Sequence, residues 1–468
     1  MYKDDTIAAI STGMSNSGIG IVRISGAEAL QIIDQIYSGK EKLFHVSSHT
    51  IHYGFIKDGD ETIDEVLVTV MLAPRTFTGE DTVEINCHGG VFVVKKILET
   101  VVRHGARLAE PGEFTKRAFL NGKMDLSQAE AVIDVIHSQN EYALKSSISQ
   151  LKGSVKEKIS KIREEILYHT AFIETALDDP EHISVDRYGE KLSVIVEELT
   201  SQLHELIESS ENGRIIKEGI QTVILGKPNA GKSSLLNVLS GHERAIVTDI
   251  EGTTRDVLEE QVQIHGLNLN IIDTAGIRDT DDVIEKIGVD KAKEYADDAD
   301  LIIYVADASR KLDDNDKKII ELIQDKKTII LLNKSDLHTV LDKEFLDSYI
   351  RESYGMVQNG QESFPIIEIS AKEERGIQDF ENVLISMFLG GNISFNNEVY
   401  ITNMRQKMAL QEAYHSLERV LESINAQMPE DFYSIDLIDA YEALGSITGE
   451  TIGEDLVNEI FSKFCMGK

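Results

Sequence analysis

The 468-residue sequence has no tryptophan, only two cysteines and only six prolines. Two cysteines, Cys87 and Cys465, exclude a framework of several disulfides and are typical of a protein in the reducing cytosol. No apolar run approaches the roughly 18 to 20 residues of a membrane-spanning helix. The N-terminus, Met1–Asp5, carries two acidic residues and precedes no long apolar run, so a signal peptide is not expected. Together these features predict a folded, cytoplasmic protein.

The sequence is also poor in basic residues. It has 47 Lys and Arg against 81 Asp and Glu, a net charge of −34, which argues against extensive coating of a nucleic acid. The deficit is uneven, because residues 1–120 carry 12 basic and 16 acidic side chains and the other 348 residues therefore carry −30. An RNA substrate would need a local basic patch or a basic partner. Because the N-terminal part is the least acidic, an anionic ligand that is not bound by a phosphate-binding loop is expected to bind there.

At this length the chain is expected to form two to four modules. Residues 1–122 are predicted to form an α+β domain, with short strands and helices in Ile19–Ile24, Ala27–Tyr37, Val66–Val70, Thr82–Ile85 and Val91–His104. Arg23 and Glu84 lie among the apolar residues of two of these strands. From the pattern alone, they are more typical of charges on edge strands than of a ligand site.

Long amphipathic helices are predicted in two separate parts of the chain, residues 123–218 and 391–468. The first part has two stripes of apolar residues at spacings of three and four, separated by a break at Asp178–Pro180. The helical pattern resumes with Leu410, Leu417, Leu421 and Ile424, and then in Ile435–Ser446 and Glu454–Phe464. The sequence therefore predicts one helical domain that is interrupted by an inserted domain.

Residues 219–390, the predicted insertion, alternate strand-like and helical segments. The strand-like runs are Gln221–Leu225, Leu267–Ile272, Leu301–Ala306, Thr328–Leu332 and Pro365–Ile369. Such alternation is typical of a doubly wound α/β domain with a mainly parallel sheet. Sheets of this kind bind their ligands at the carboxyl ends of the strands.

The segment Gly226–Ser233 reads G-x-x-x-x-G-K-S between a strand-like run and a helical one. This pattern predicts a phosphate-binding loop, whose backbone N–H groups surround the phosphates at a helix N-terminus. Lys232 is expected to contact the β- and γ-phosphates and Ser233 to bind Mg²⁺. The predicted contact residues of the loop are Asn229, Ala230, Gly231, Lys232, Ser233 and Ser234.

Three further motifs follow later strands in the order found in guanine-nucleotide sites. They comprise Asp273, Thr274, Ala275 and Gly276, then Asn333, Lys334 and Asp336, and finally Ser370, Ala371 and Lys372. Asp273 can hold the Mg²⁺ shell through water, and the Gly276 N–H can meet the γ-phosphate. The Asp336 carboxylate can accept from N1–H and the exocyclic amine of guanine, a pair of donors that adenine lacks, while the Lys334 stem is expected to cover the ring. The sequence therefore predicts GTP binding.

The Thr/Gly-rich segment Ala245–Asp256 lies where a switch loop would fall, although an ordinary turn has similar composition. Its predicted nucleotide contacts are Thr248, Asp249, Ile250, Glu251, Gly252, Thr253 and Thr254, with Thr254 also a ligand of Mg²⁺. Ile277 follows Gly276 where small signalling GTPases have a water-orienting glutamine. Hydrolysis would need another group, and the pattern alone does not choose among the acids of Asp279–Glu285.

Several short motifs outside the predicted GTPase domain resemble the MnmE (TrmE) family of tRNA-modification GTPases over essentially the whole length. They are Ile21–Gly26, Phe77–Asp81, Cys87–Gly90, Pro111–Phe114, Arg117–Asn121, Asp125–Leu126 and the C-terminal Phe464–Lys468, which ends in C-x-G-K. One departure is Ser11–Ser17, which lacks the family's Pro-Pro-Gly-like loop before the strand of Arg23.

The resemblance implies a homodimer held by N-terminal folate-binding domains. A tetrahydrofolate derivative, 5-formyl- or methylene-tetrahydrofolate, would contact Arg23, Glu84, Lys123 and Lys468. That reading replaces the edge-strand interpretation of Arg23 and Glu84. The resemblance also implies K⁺ bound by Asn229, Thr248, Ile250 and Thr253, with Glu285 activating water beside the catalytic Lys232. Cys465 has either a functional role or a part in folding the tail.

By the same resemblance, the chain would be the GTP-hydrolysing subunit of an enzyme that modifies C5 of the tRNA wobble uridine. Its partner would be the FAD-containing MnmG, in a heterotetramer or larger complex, and GTP hydrolysis would drive G-domain dimerisation and opening. The products would be aminomethyl or carboxymethylaminomethyl uridine. The alternative is a GTPase switch without modifying activity, such as a ribosome-assembly factor. Relatives of Der carry two G domains and an RNA-binding tail, whereas this chain has one phosphate-binding loop.

Overall fold

A computed structural model describes residues 5–179, 181–182, 187–242, 259–272, 295–324, 326–354, 364–389, 400–464 and 467. The chain divides into two compact units, Met1–His137 with Ser147–His204 and Arg405–Lys468, and Ser138–Ser146 with Glu205–Met404. Across the described ranges, none of the helices is apolar over a length that could cross a membrane.

The first unit contains a seven-stranded sheet in the order β3-β4-β5-β6-β2-β1-β7. Its strands are β1 (Ile7–Ile10), β2 (Ser17–Ser25), β3 (Tyr37–Gly39), β4 (Thr50–Asp58), β5 (Glu61–Met71), β6 (Thr82–Gly89) and β7 (Arg107–Leu108). Neighbours are antiparallel except β1 and β7. Helices α1 (Ala29–Ile36) and α2 (Val91–Arg103) bury Ile33 and Ile97 with Val22, Val68 and Ile85 of the strands.

Helices make up the rest of the first unit. They are α3 (Glu113–Leu120), α4 (Leu126–His137), α5 (Glu141–Leu151), α6 (Ser154–Asp178), α7 (Tyr188–Glu218), α12 (Met404–Asn425), α13 (Glu430–Thr448) and α14 (Glu454–Ser462), with the unit boundaries falling inside α5, α7 and the start of α12. Most of the apolar stripe predicted over residues 151–166 is confirmed on α6, where Val155, Ile159, Ile162 and Ile166 are buried, but its first member, Leu151, ends α5 and is only partly buried. Helix α6 ends at Asp178, at the predicted break.

The second unit contains a six-stranded sheet in the order β13-β12-β11-β8-β10-β9. Its elements are β8 (Ile220–Leu225), α8 (Lys232–His242), β9 (Glu259–Ile264), β10 (Leu267–Ile272), β11 (Leu301–Asp307), α9 (Asp314–Leu322), β12 (Thr328–Asn333), α10 (Lys343–Tyr354), β13 (Ile366–Glu368) and α11 (Ile377–Leu389). Among the described strands of this sheet, the edge strand β9 pairs antiparallel with β10, and the other pairings are parallel. Along β11, Ile303 and Val305 join one core while Ile302 and Tyr304 join another. The sheet is therefore covered on both faces.

These observations confirm the predicted fold class, an α+β N-terminal part, helices and a doubly wound, mainly parallel sheet. The antiparallel strand β9 and the N-terminal elements β1, β3, β4, β7 and α3 were not predicted. The domain boundaries at residues 122, 218 and 390 stay a prediction.

Candidate functional site

The loop between β8 and α8 has the backbone that a phosphate-binding loop needs. Gly226 and Gly231 have φ angles of +153° and +106°, a region that side chains rarely adopt. A Cβ atom on Gly226 would lie 2.4 Å from the Val305 carbonyl oxygen, and one on Gly231 would lie 2.0 Å from the Asn333 side-chain nitrogen. Asn229 also has a positive φ of +62°. The two glycines are therefore required by both backbone conformation and close packing.

The ammonium of Lys232 is held inside this loop. It donates to the carbonyl oxygens of Gly226 at 2.6 Å and Lys227 at 2.8 Å. Burial lowers its pKa from 10.5 to about 8, because these neutral carbonyls compensate only partly for lost water. An anion placed beside it would restore the charged form, so the loop fits a phosphate. Ser233 and Ser234 are exposed in the first turn of α8, where a metal ion or phosphate could reach their hydroxyl groups.

The ends of β12 and β13 bring together the residues predicted to bind the base. The Asn333 amide donates to the Ala230 carbonyl at 2.8 Å and accepts from the Ala371 N–H at 3.0 Å, so it joins these ends to the phosphate loop. Asp336 accepts a 2.7 Å hydrogen bond from Ser370, which holds the pKa of its carboxyl below the usual value. Asp336 is therefore ionised at neutral pH, as an acceptor for two N–H donors must be. Lys372 is exposed.

Part of the predicted nucleotide site lies outside the described residues. The predicted switch loop, the motif after β10 and the predicted water-activating glutamate are not described; their residues are Thr248, Asp249, Ile250, Glu251, Gly252, Thr253, Thr254, Asp273, Thr274, Ala275, Gly276 and Glu285. The proposed Mg²⁺ and K⁺ ligand sets are consequently described only at Ser233 and Asn229. Cys465 and Lys468 also lie outside the described residues. The roles of all these residues stay predictions.

Arg23 and Glu84 lie opposite each other on β2 and β6, two internal strands of the first sheet. The edge-strand interpretation is therefore wrong, because both strands have a neighbour on each side. Arg23 donates to Glu84 at 2.7 Å, and their side chains are 18% and 20% exposed. The guanidinium carbon lies 5.9 Å from the ring centre of Phe77 and 5.6 Å from that of Phe114. A partly desolvated ion pair beside aromatic rings is a plausible binding site for a flat polar ligand.

Two other segments approach this ion pair. The Lys123 ammonium donates to the Pro74 carbonyl at 3.0 Å, and its Cγ lies close to Gly79, in the same segment as Phe77. The Gly467 carbonyl accepts from the Ser11 hydroxyl at 3.0 Å, two residues after Ala9, the strand partner of Arg23. The C-terminal tail therefore lies at the end of β1, the strand that pairs with the strand of Arg23. Lys123 lies beside the loop whose Phe77 is near the Arg23 guanidinium.

Comparisons with known proteins identify the family of this chain. The family model described as "MnmE helical domain" matches residues 126–465. Full-length relatives named "tRNA modification GTPase MnmE" are 58% identical in Lachnoclostridium phytofermentans, 50% in Acetivibrio thermocellus and 48% in Clostridioides difficile, each covering 100% of both chains. The chain belongs to the MnmE family. A second family model, "GTP-binding protein TrmE N-terminus", matches residues 6–123 and so includes Arg23, Glu84 and Lys123.

Two charged residues of this MnmE family member were missed by the sequence motifs. Asp307, at the end of β11, binds the Lys334 ammonium at 2.7 Å. Lys227, the second residue of the phosphate loop, pairs with Asp313 at 2.8 Å and Asp316 at 2.6 Å, at the start of α9. The position of Asp307 after a buried apolar strand could have marked it. Nothing in the sequence indicated the partners of Lys227, which lie 86 residues or more away along the chain.

The lowered pKa of Lys232 predicts that nucleotide binding weakens at alkaline pH. In the free protein Lys232 loses its proton near pH 8, whereas bound phosphate would keep it protonated, so binding takes up a proton above pH 8. We expect the affinity for GDP, measured without Mg²⁺ by fluorescence titration, to fall about tenfold from pH 7 to pH 9. Lys232→Arg, which stays charged, should show no such fall. An affinity of the wild type that is flat over this range would contradict the lowered pKa.

Proposed function

We propose that this protein is a GTP hydrolase that acts in the modification of the tRNA wobble uridine at C5. One structural observation in this chain, a member of the MnmE family, carries the proposal. Asn333 ties the phosphate loop to the strand ends that carry Asp336 and Ser370, so phosphate and base contacts share one edge of the sheet. Lys232 and Ser233 would hold the phosphates and Mg²⁺, and Asp336 would select guanine. The relatives' names supply the link to tRNA.

Hydrolysis is proposed to need a monovalent cation and a second G domain. In this proposal K⁺ is bound by Asn229, Thr248, Ile250 and Thr253, and it offsets the charge that develops on the transferring phosphate. Glu285 would activate the attacking water. The left-handed backbone of Asn229, whose side chain is exposed beside the loop, is compatible with this role.

The cation proposal predicts that GTP turnover is fast in KCl and slow in NaCl at equal ionic strength. Asn229→Lys should abolish the stimulation by K⁺, because a fixed ammonium replaces a cation ligand. Phosphate release under excess GTP measures the rate. Asn237→Lys is the matched control, since it adds the same charge at an exposed position of α8. Equal rates in the two salts would remove the K⁺ mechanism.

The N-terminal part is proposed to bind a reduced folate, the donor of the one-carbon unit. Arg23, Glu84, Lys123 and Lys468 would be its polar contacts. Support comes from the ion pair of Arg23 and Glu84, whose guanidinium lies near two aromatic rings, and from the hydrogen bond of the tail residue Gly467 with Ser11, just after β1. The N-terminal part is also the least acidic of the chain, which suits the anionic folate tail.

The folate proposal predicts that Arg23→Met weakens binding of 5-formyl-tetrahydrofolate. Loss of hydrogen bonds from a charged group should lower the affinity about tenfold or more. Calorimetric titration of the full chain measures this. Arg103→Met is the control, because the Arg103 side chain is 54% exposed and forms an ion pair with Asp58. Unchanged affinity in Arg23→Met, or the same loss in both variants, would place the folate elsewhere.

The N-terminal domains are further proposed to hold a homodimer, with tRNA bound largely by an FAD-containing MnmG partner. The outer face of β4 and β5 carries Ile51, Tyr53 and Leu67, whose side chains are 48% to 65% exposed. Such a patch is typical of a protein–protein interface. The net charge of −34 supports assigning most tRNA contacts to the partner.

Nucleoside mass spectrometry of tRNA tests the proposed function as a whole. Cells that lack this protein should have lost the C5 modification of the wobble uridine, and the wild-type gene should restore it. A gene carrying Lys232→Ala should fail to restore it, because the chain then cannot bind GTP productively. Unchanged wobble uridines in the deletion strain would exclude the proposal and favour a switch without modifying activity.

A further inference from the structure

Asp307 lies next to the predicted base-binding residues but belongs to none of their motifs. It is the last residue of β11 and the register partner of Asn333, the last residue of β12. The Ala308 N–H donates to the Asn333 carbonyl at 2.9 Å, which continues the pairing beyond the strand end. The Asp307 side chain is 5% exposed. A buried carboxylate at this edge of the sheet needs partners, and their identity indicates its role.

The hydrogen-bond partners of this carboxylate are two donors of Ser309 and the ammonium of Lys334, and the exposed Arg310 guanidinium lies farther away, at 3.8 Å. One oxygen accepts from the Ser309 N–H at 3.0 Å and its hydroxyl at 2.6 Å. The other oxygen accepts from Lys334 at 2.7 Å. Burial alone would raise the pKa of Asp307, but the hydrogen bonds from Lys334 and Ser309 lower it overall. Asp307 is therefore ionised, and the hydrogen bonds from Ser309 fix its orientation. Its carboxylate can in turn fix the position of the Lys334 ammonium.

Without a partner, the long side chain of Lys334 could adopt many conformations. Its φ of +68° is unusual for a residue with a side chain. The lysine side chain has four rotatable bonds, and ordering it costs side-chain conformational entropy. A partner that orders the stem before a ligand arrives removes part of this cost from binding.

We propose that Asp307 is a positioning residue for guanine nucleotides, which holds the Lys334 ammonium so that the lysine stem is ready to cover the purine ring. The inference rests on the proposed function, because it assumes that the base binds at Asn333, Lys334 and Asp336. It adds a residue of β11 to a base site otherwise built from the ends of β12 and β13. Asp307 itself does not touch the nucleotide in this account.

A double-mutant cycle with Lys334→Met tests the inference, because methionine keeps an apolar stem and removes the ammonium. The affinity for fluorescent GDP is measured for the full-length wild type, Asp307→Asn, Lys334→Met and the double variant. We expect each single variant to bind about 10- to 100-fold more weakly, the range for hydrogen bonds to charged groups. The double variant should be no weaker than the single ones. Asp297→Asn, in an exposed pair with Lys326, is the matched control and should bind like the wild type.

The ratio of affinities for GDP and IDP supplies a second readout. IDP lacks the exocyclic amine that Asp336 would recognise, so Asp307→Asn should leave the ratio unchanged while lowering both affinities. Additive losses in the double variant, or a loss below threefold in Asp307→Asn, would overturn the inference. If Asp307→Asn does not fold, the affinity of Lys334→Met for GDP is the test. An affinity equal to that of the wild type would show that the Lys334 ammonium needs no positioning partner and would overturn the inference. A wild type that binds no GDP would instead refute the proposed function itself.

Discussion

Asp336→Asn is expected to change the base preference from guanine to xanthine. The Asp336 carboxylate can accept two hydrogen bonds from guanine, whereas an Asn amide can donate to the carbonyl that xanthine has in place of the exocyclic amine. We expect the affinity for GDP to fall at least about 100-fold, because a site built around buried polar groups strongly rejects a ligand that leaves them unpaired. XDP should become the tighter ligand. Competition against a fluorescent nucleotide measures both affinities.

Asp297→Asn controls for the removal of a carboxylate elsewhere in the same unit, at a position that is 60% exposed. It should keep the preference for GDP. Weak binding of both GDP and XDP in Asp336→Asn would indicate damage to the strand end, where Ser370 depends on the same carboxylate. Retained tight binding of GDP would contradict the assignment of the base site.

Arg117→Met is expected to cost the first unit about 3 to 5 kcal/mol of its free energy of unfolding, the usual effect of removing one partner from a buried ion cluster. Arg117 is 2% exposed and binds Asp5 at 2.7 Å, Glu113 at 3.0 Å and Glu80 at 3.2 Å. Without its guanidinium, partly buried carboxylates would lose a common partner. Urea titration combined with hydrogen exchange of peptides from α3 measures the change locally.

Arg103→Met is the matched control, because Arg103, whose side chain is exposed, forms an ion pair with Asp58 and a hydrogen bond to Thr100. It should change the free energy of unfolding by less than about 1 kcal/mol. Equal, small effects in both variants would contradict a stabilising role for the buried cluster. Glu80, Glu113 and Arg117 come from three of the motifs shared with the MnmE family, so the cluster gives these motifs a structural role.

The second unit could be predicted closely from the sequence, because its signals are local. The run Leu267–Ile272 is the strand β10 residue for residue, and β11 and β12 each extend one residue beyond the predicted run. Buried parallel strands are continuous apolar runs, so their limits are visible in the sequence. The phosphate loop is similarly local, since Gly226 and Gly231 are fixed by backbone conformation at known spacing.

The N-terminal sheet was harder to predict because its order depends on pairings between distant strands. Arg23 pairs with Glu84 across 61 residues, and the pattern of either strand alone favoured a sheet edge. Strand β4 was missed although polar and apolar residues alternate over Thr50–Phe55. Its apolar side chains Ile51 and Tyr53 are exposed, the reverse of the usual arrangement. Asp307 was not singled out because its partner Lys334 directly follows another strand, so neither strand alone shows the pairing.

The most direct test of the account is a reconstituted modification assay in which the nucleotide is switched. The wild-type chain or Asp336→Asn is incubated with an MnmG partner, unmodified tRNA, a reduced folate, an amine donor, FAD with a reductant, Mg²⁺ and K⁺. Mass spectrometry of the wobble uridine gives the product. The account predicts modification by the wild type with GTP but not XTP, and by Asp336→Asn with XTP but not GTP. Modification that proceeds equally with either nucleotide, or with none, would contradict it.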